Sequence, residues 1–253
     1  MPNLMHNTFT FAGVSSASLG LTIEKVPNMN RPARKYDRYS VPGRNGDIFV
    51  FQDAWENIEQ SYEICWKGTP VDTGYSIAEW LFGSSGYQML TDSYDPLHYR
   101  KAVFLGPYDV ENTLRRYGRA TITFDCDPRR FLMSGLEWID ITKWIYGADW
   151  TEVHNPTMFH GLPVFELTCS TNLCRLFSSE EPPTSSTSLS IHKTGTFTIN
   201  CEKESIVDES GDPAFDSVYG EFPRLGVGTT YVSFDDPGAN PVICKMQPNW
   251  WTL

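Results

Sequence analysis

Two segments of the chain alternate polar and apolar residues with a period of two. In the first, Ile58, Gln60, Tyr62, Ile64 and Trp66 alternate with Glu59, Ser61, Glu63 and Cys65. In the second, Ala120, Ile122, Phe124 and Cys126 alternate with Arg119, Thr121, Thr123 and Asp125. Successive side chains of a strand point to opposite faces, so both segments predict strands with one face buried and the other wet. The segment from Asp72 to Gly83 departs from this rhythm. Its Ile77, Trp80 and Leu81 fall at i, i+3 and i+4, which predicts a short helix with an aromatic stripe on a sheet. Asp72 or Thr73 is placed to cap the first exposed amides, and Gly83 to take a left-handed terminating conformation.

Beyond the Asp127-Pro128 step and Ser134-Gly135 the pattern breaks, so a domain boundary is expected near residue 135, dividing the chain into 1–135 and 136–253. Strand-like runs then return at Pro163–Cys169, Leu189–His192, Thr196–Cys201, Tyr231–Phe234 and Val242–Met246, separated by turn clusters such as HKTG and FDDPGAN. Short strands at this spacing predict a β-sandwich. Ser178–Ser188, SSEEPPTSSTS, has no aliphatic or aromatic residue and predicts an exposed mobile loop. No internal repeat is present.

Composition supports a mainly β protein with one short α-helix. The 253 residues include 19 Gly and 17 Pro, with 14% aromatics, which suits many short strands joined by turns. The length is sufficient for two domains with buried cores. The formal charge of −11 is unevenly spread: residues 1–133 hold 14 Lys/Arg and 15 Asp/Glu, whereas residues 134–253 hold 6 and 16. Two surfaces with different neighbours are expected, and phosphate binding by the acidic half is disfavoured.

The chemistry-bearing residues are sparse. The six cysteines, at positions 65, 126, 169, 174, 201 and 244, lack zinc-ligand spacing, and Cys65, Cys126 and Cys201 sit in strand-like runs where a small buried hydrophobe is expected. MPNLMHNTFTF has neither a charged start nor an apolar core of signal-peptide length, so reduced thiols are expected. No run approaches the roughly 18 apolar residues of a membrane span. The histidines are scattered, and no HExxH, GxSxG, phosphate loop or GxGxxG is present. Asp208–Asp212, DESGD, lacks the ligand series of a calcium loop and reads as a turn. No catalytic residue, metal or cofactor is therefore assigned.

One basic stretch stands out. RPARKYDR, Arg31–Arg38, leads into YSVPGRNGD, Tyr39–Asp47. Asn45-Gly46 is a frequent type I′ pair and predicts a hairpin of Tyr39–Gly43 with Asp47–Phe51, with Arg44 projecting from its tip or base. By composition alone it is an ordinary solvated hairpin.

FTFAGVSSASLGLTIEKVP, RPARKYDRYSVPGRNGD, YEICWKG, IAEWL and RRYGRATITFDCDPRRF together resemble the N-terminal domain of the distal tail protein (Dit) family of long non-contractile-tailed phages. NPTMFHGLPVFELTC, GTFTINCE, FPRLGVGTTYVSF and the terminal QPNWWTL resemble its C-terminal half, in the same order. The resemblance implies a virion structural protein, made in the host cytoplasm and placed at the distal end of the tail. Its N-terminal domain would be a tail-tube-like β-sandwich or barrel that closes a homohexameric ring, and its C-terminal domain an outward galectin-like β-sandwich. Implied partners are the major tail tube protein, the tail-associated tip protein or lysin, and receptor-binding or adhesion proteins. DNA would pass through the channel without specific binding, and no membrane insertion is implied.

Combined with the charge pattern, this puts Arg31, Arg34, Lys35, Arg38, Arg44, Asn45, Gly46 and Asp47 at or near a ring interface, where Arg34, Lys35, Arg38 and Arg44 are expected to pair with carboxylates of the next subunit. Two other classes are weighed against it. A carbohydrate-binding module would use Trp250 and Trp251 to stack on a sugar, although a terminal aromatic pair also serves to anchor the chain end onto its own domain or back toward the first. A wall-degrading enzyme would need a carboxylate pair, for which only the abundance of Asp and Glu speaks.

Overall fold

The computed structural model describes residues 7–68, 70–107, 110–114, 117–141, 150–181, 187–238 and 243–253. The fold is mainly β and divides into two compact units, residues 1–130 and 131–252.

In the first unit the strands are β1 (Phe9–Phe11), β2 (Val14–Ser15), β3 (Leu21–Ile23), β4 (Arg34–Tyr39), β5 (Ile48–Trp55) and β6 (Ile58–Lys67), then helix α1 (Pro70–Phe82), then β7 (Gln88–Asp92), β8 (His98–Val103), β9 (Val110–Leu114) and β10 (Tyr117–Cys126), with β11 (Arg130–Leu132) at the division. The main sheet runs β2-β1-β7-β8-β10-β6-β3, and β9 pairs with β10. Its longest ladder among the described residues is the antiparallel pairing of β6 with β10, which runs without a break from Cys126↔Ile58 to Tyr117↔Lys67. Along β6 the alternation is strict: Ile58, Gln60, Tyr62, Ile64 and Trp66 are buried, whereas Glu59, Ser61 and Glu63 face water. Cys65 belongs to the outer set and is half-exposed, so the expectation of a buried thiol is corrected by the strand's own period.

Helix α1 covers this core with Ile77 and Leu81, both fully buried. Trp80 stacks on Phe9 at 5.4 Å and donates its indole N–H to the Phe11 carbonyl at 3.0 Å. Phe9 in turn lies flat on Tyr62, ring centres 4.6 Å apart. Two details of the expected helix change. It starts at Pro70, whose fixed φ suits a first helical position, so Asp72 lies in the first turn instead of capping it. Gly83 does not take a positive φ, whereas Gly86 does. A Cβ on Gly83 would approach the Glu79 carbonyl to 2.6 Å, and this close contact is what favours glycine there.

The second unit contains β12 (Ile139–Asp140), β13 (Thr151–Asn155), β14 (Val164–Cys169), β15 (Cys174–Ser179), β16 (Thr187–Ile191), β17 (Gly195–Asn200), β18 (Ser205–Asp208), β19 (Val218–Gly220), β20 (Gly228–Asp235), β21 (Cys244–Gln247) and β22 (Trp251–Thr252). One five-stranded sheet runs β12-β21-β14-β17-β18 and the other β13-β20-β15-β16-β19. Phe165, Leu167, Phe197 and Ile199 of the first sheet share one core with Leu176, Leu189, Ile191 and Val232 of the second, so the unit is a β-sandwich. Ser178 and Ser179 end β15 as buried residues, which corrects the expected loop at that end. Residues 182–186 of that expected loop lie outside the described residues, as does Val242.

Candidate functional site

Among the described residues β4 and β5 pair only with each other, as a two-stranded sheet separate from the main sheet of the first unit. The register is Tyr39↔Ile48, Arg38↔Phe49, Asp37↔Val50 and Tyr36↔Phe51, then Arg34↔Trp55 after a bulge. At that bulge Asp53 takes a φ of 50°, which bends the longer strand and raises its twist. The eight residues of β5 span about 26 Å at strand rise.

The connection differs from the predicted type I′ turn. Among the residues between the strands, only Gly43 and Gly46 have positive φ, at 81° and 80°, and Asn45 does not. The turn instead centres on Pro42-Gly43, closed by the Arg44 amide donating to the Val41 carbonyl at 3.2 Å. Proline sets the first corner and glycine supplies the left-handed second corner, a type II arrangement that takes precedence over Asn-Gly two residues later. Pairing therefore stops at Tyr39 and Ile48, and Ser40–Asp47 form a wide tip containing Arg44, Asn45 and Gly46, all exposed.

The side-chain pattern of this hairpin was only half legible beforehand. The run Ile48-Phe49-Val50-Phe51 is apolar on both sides of the strand, the signature of burial on both faces. In the isolated chain it is covered on neither: Ile48, Phe49, Val50 and Phe51 retain 38%, 48%, 49% and 52% of their exposure. One face carries Tyr36, Phe49 and Phe51 with Arg34 and Arg38; the other carries Tyr39, Ile48 and Val50 with Asp37. Tyr36 meets Phe49 edge-on at 5.4 Å, and the Arg34 guanidinium lies 4.8 Å from the Phe51 ring centre. An isolated hairpin is marginal in water, and contiguous exposed apolar surface of this kind marks an interaction site.

The basic residues behave unequally. Arg34 pairs with Asp53 at 3.3 Å, and Arg38 pairs with Asp47, so both cations are matched within the hairpin. Lys35 and Arg44 have no ion-pair partner among the described residues and are exposed. Arg31 is exposed in the irregular segment before β4.

Elsewhere in the first unit a polar cluster has the look of a reaction centre. Asp92 accepts the Tyr62 hydroxyl at 2.8 Å, and Asp95 binds His98 Nδ1 at 2.7 Å and the Arg130 guanidinium. Burial pushes the Asp95 carboxyl up, but His98 and Arg130 outweigh it and hold it below its ordinary value. The space they surround is about 30 Å³, room for a single water, so the cluster is fitted to fasten the turn between β7 and β8.

The terminal tryptophans also differ from one another. Trp250 is buried in the sandwich core, and its backbone carbonyl accepts from Leu132 at 2.8 Å; its ring presents no stacking face to solvent. Trp251 is half-buried, stacks on Phe159 at 4.2 Å and donates its indole N–H to the His160 carbonyl at 2.9 Å.

No protein-family model and no curated protein matches the sequence. Among solved structures, the crystal structure of the SPP1 Dit (gp 19.1) protein, described as a paradigm of hub adsorption apparatus in Gram-positive infecting phages, aligns over 97% of this chain and 99% of its own length, with a TM-score of 0.71 and 14% identity. The chain has a Dit-like fold. Coverage this complete means that both compact units share in the Dit-like fold, rather than one alone. At 14% identity the shared property is the path of the backbone. Among the described residues no helix is long and apolar enough to cross a membrane.

Proposed function

We propose that the protein is a structural hub component of a phage tail tip, assembled as a homohexameric ring between the tail tube and the adsorption apparatus and open to the passage of DNA. The observation that carries this reading is the whole-chain likeness to the SPP1 Dit protein, a hub adsorption component, at a TM-score of 0.71. The hairpin adds independent physical support. A closed ring uses heterologous contacts, in which one patch meets a different patch on the neighbour. The β4–β5 hairpin offers such a patch, with apolar side chains on both faces and unpaired Lys35 and Arg44.

In this reading the hairpin docks on the adjacent copy, burying Phe49, Phe51, Ile48 and Val50, while Lys35 and Arg44 meet carboxylates there. Arg34 and Arg38 stay with Asp53 and Asp47 and hold the hairpin in shape. The first unit, nearly neutral, builds the ring; the acidic second unit serves outward contacts with adhesion proteins. The role is mechanical, without turnover, and DNA passes without being held.

Light scattering on the purified protein tests this. The expected mass is six times 28.7 kDa, alone or after addition of tail tube protein. Arg44→Glu is expected to dissociate the hexamer at moderate salt. A monomer under both conditions, or a hexamer indifferent to Arg44→Glu, contradicts the proposed ring and its interface respectively.

A further inference from the structure

The second unit carries an open cleft of about 990 Å³ lined by His160, Glu180, Glu204, Glu221, Phe222 and Arg224. A smaller recess of about 330 Å³ adjoins it, sharing His160, Glu204 and Arg224 and adding Phe159 and Trp251. The cleft has a rigid frame. Buried Asn155 donates from its amide to the Phe159 and Gly226 carbonyls, both at 2.8 Å, which ties the segment bearing Phe159 and His160 to the connection before β20. Gly161 and Leu225 exchange backbone hydrogen bonds at 2.8 and 3.0 Å, and the Gly226 amide donates to the buried Thr230 hydroxyl at 2.8 Å. The Glu180 side chain lies directly over Gly226, where a Cβ would come within 2.5 Å of its Oε1.

The charged groups on this frame are unmatched. Among the described residues, Glu180, Glu204, Glu221 and Arg224 have no ion-pair partner, although all line one cleft. The carboxylates only accept hydrogen bonds and the guanidinium only donates them. A ligand that satisfies both at once must carry many groups able to do either. At one end the stacked pair of Phe159 and Trp251 offers a flat apolar surface next to these polar groups. We propose that this cleft binds a neutral saccharide, with sugar hydroxyls bridging Arg224 and the glutamates and a pyranose face lying on the aromatic pair.

The charge pattern selects among ligands. Three carboxylates against one guanidinium repel an anionic polymer such as polyglycerol phosphate. A polycation would match the glutamates but set its own charge against Arg224. Among the described residues no His, Cys, Asp or Glu group is arranged to hold a metal ion. A neutral oligosaccharide meets all the groups without a buried unpaired charge, and its size suits a pocket in the range of several hundred Å³. The cleft lies wholly within the second unit, so this inference is independent of ring assembly.

Titration of the full chain with maltotetraose, lactose and diacetylchitobiose, followed by saturation-transfer NMR and tryptophan fluorescence, is the test. Polyglycerol phosphate and tetralysine serve as charged counterparts. At least one neutral sugar is expected to bind saturably in the millimolar range, with affinity falling about tenfold in Arg224→Ala and in Trp251→Ala. Arg224 is exposed, so its variant keeps the fold even if Trp251→Ala does not. No saturable binding of any of the three sugars, binding unchanged in Arg224→Ala, or binding of tetralysine alone would each overturn the inference.

Discussion

Replacing Phe49 and Phe51 together by serine probes the hairpin where its surface is most costly. These rings keep 48% and 52% of their exposure in the isolated chain. Complete burial of a phenylalanine stabilises by about 1.5–3 kcal/mol, so each ring withholds about 1 kcal/mol that only a partner can release. The pair accounts for about 2 kcal/mol per subunit contact, a change of about 30-fold in the affinity of each contact. Mass photometry over a dilution series is expected to show the variant ring falling apart at correspondingly higher concentration. The unfolding midpoint of the dilute subunit should not move, because neither ring belongs to its core. Removing the rings also deprives Arg34 and Arg38 of their aromatic contacts at 4.8 and 5.9 Å, so amide exchange across β4 and β5 should be followed as a control for hairpin integrity. The companion Ile48→Ser/Val50→Ser tests the opposite face. If both variants assemble like the parent while the hairpin stays protected, the hairpin carries no subunit contact and the reasoning fails.

Three further outcomes follow from the described geometry. Gly118→Val places a Cβ within 2.2 Å of the buried Trp66 ring across the β6–β10 ladder, and is expected to lower urea stability by about 1–3 kcal/mol; an unchanged midpoint would show that Trp66 has room to move. Asp236 feels burial pushing its carboxyl up, but the amides of Gly238 and Ser170 and the hydroxyls of Thr171 and Ser170 prevail and hold it at about 2. Its stabilising contribution is thus complete above the unfolded value of about 3.9 and lost as pH falls toward 2; after allowance for solvent screening, Asp236→Asn should cost about 1 kcal/mol near neutrality and nothing at low pH, and a pH-independent loss in thermal scans would refute this. Burial pushes the Cys126 and Cys201 thiols up to about 12, whereas Cys65 is half-exposed, so native alkylation read by mass spectrometry should label Cys65 first, and equally fast labelling of Cys126 would contradict the packing.

The strands were the most legible part of the fold. β6 and β10 appear where period-two alternation places them, and α1 appears where Ile77, Trp80 and Leu81 mark one helical face. β15 was hidden because Ser178 follows Cys174 and Leu176 on its inward face without being apolar, and β19 and β22 because two or three residues give no period to read. The hairpin was legible as a hairpin but not in its register, since Pro42-Gly43 and Asn45-Gly46 are competing turn signals only three residues apart.

By itself the sequence determined what short-range physics controls: which residues alternate, where glycine and proline permit a turn, where charge accumulates, and hence a mainly β chain with one helix. Tertiary structure decided everything that depends on residues distant along the chain. It buried Trp250 and left Trp251 stacked on Phe159 with its indole N–H on the His160 carbonyl, contacts between residues about ninety positions apart. It gathered Glu180, Glu204, Glu221 and Arg224 around one cleft from three separate connections, and left Ile48 to Phe51 uncovered although their pattern demands cover. Hydrophobic patterning states that a surface is to be buried; it carries no record of which surface, on this chain or another, will do so.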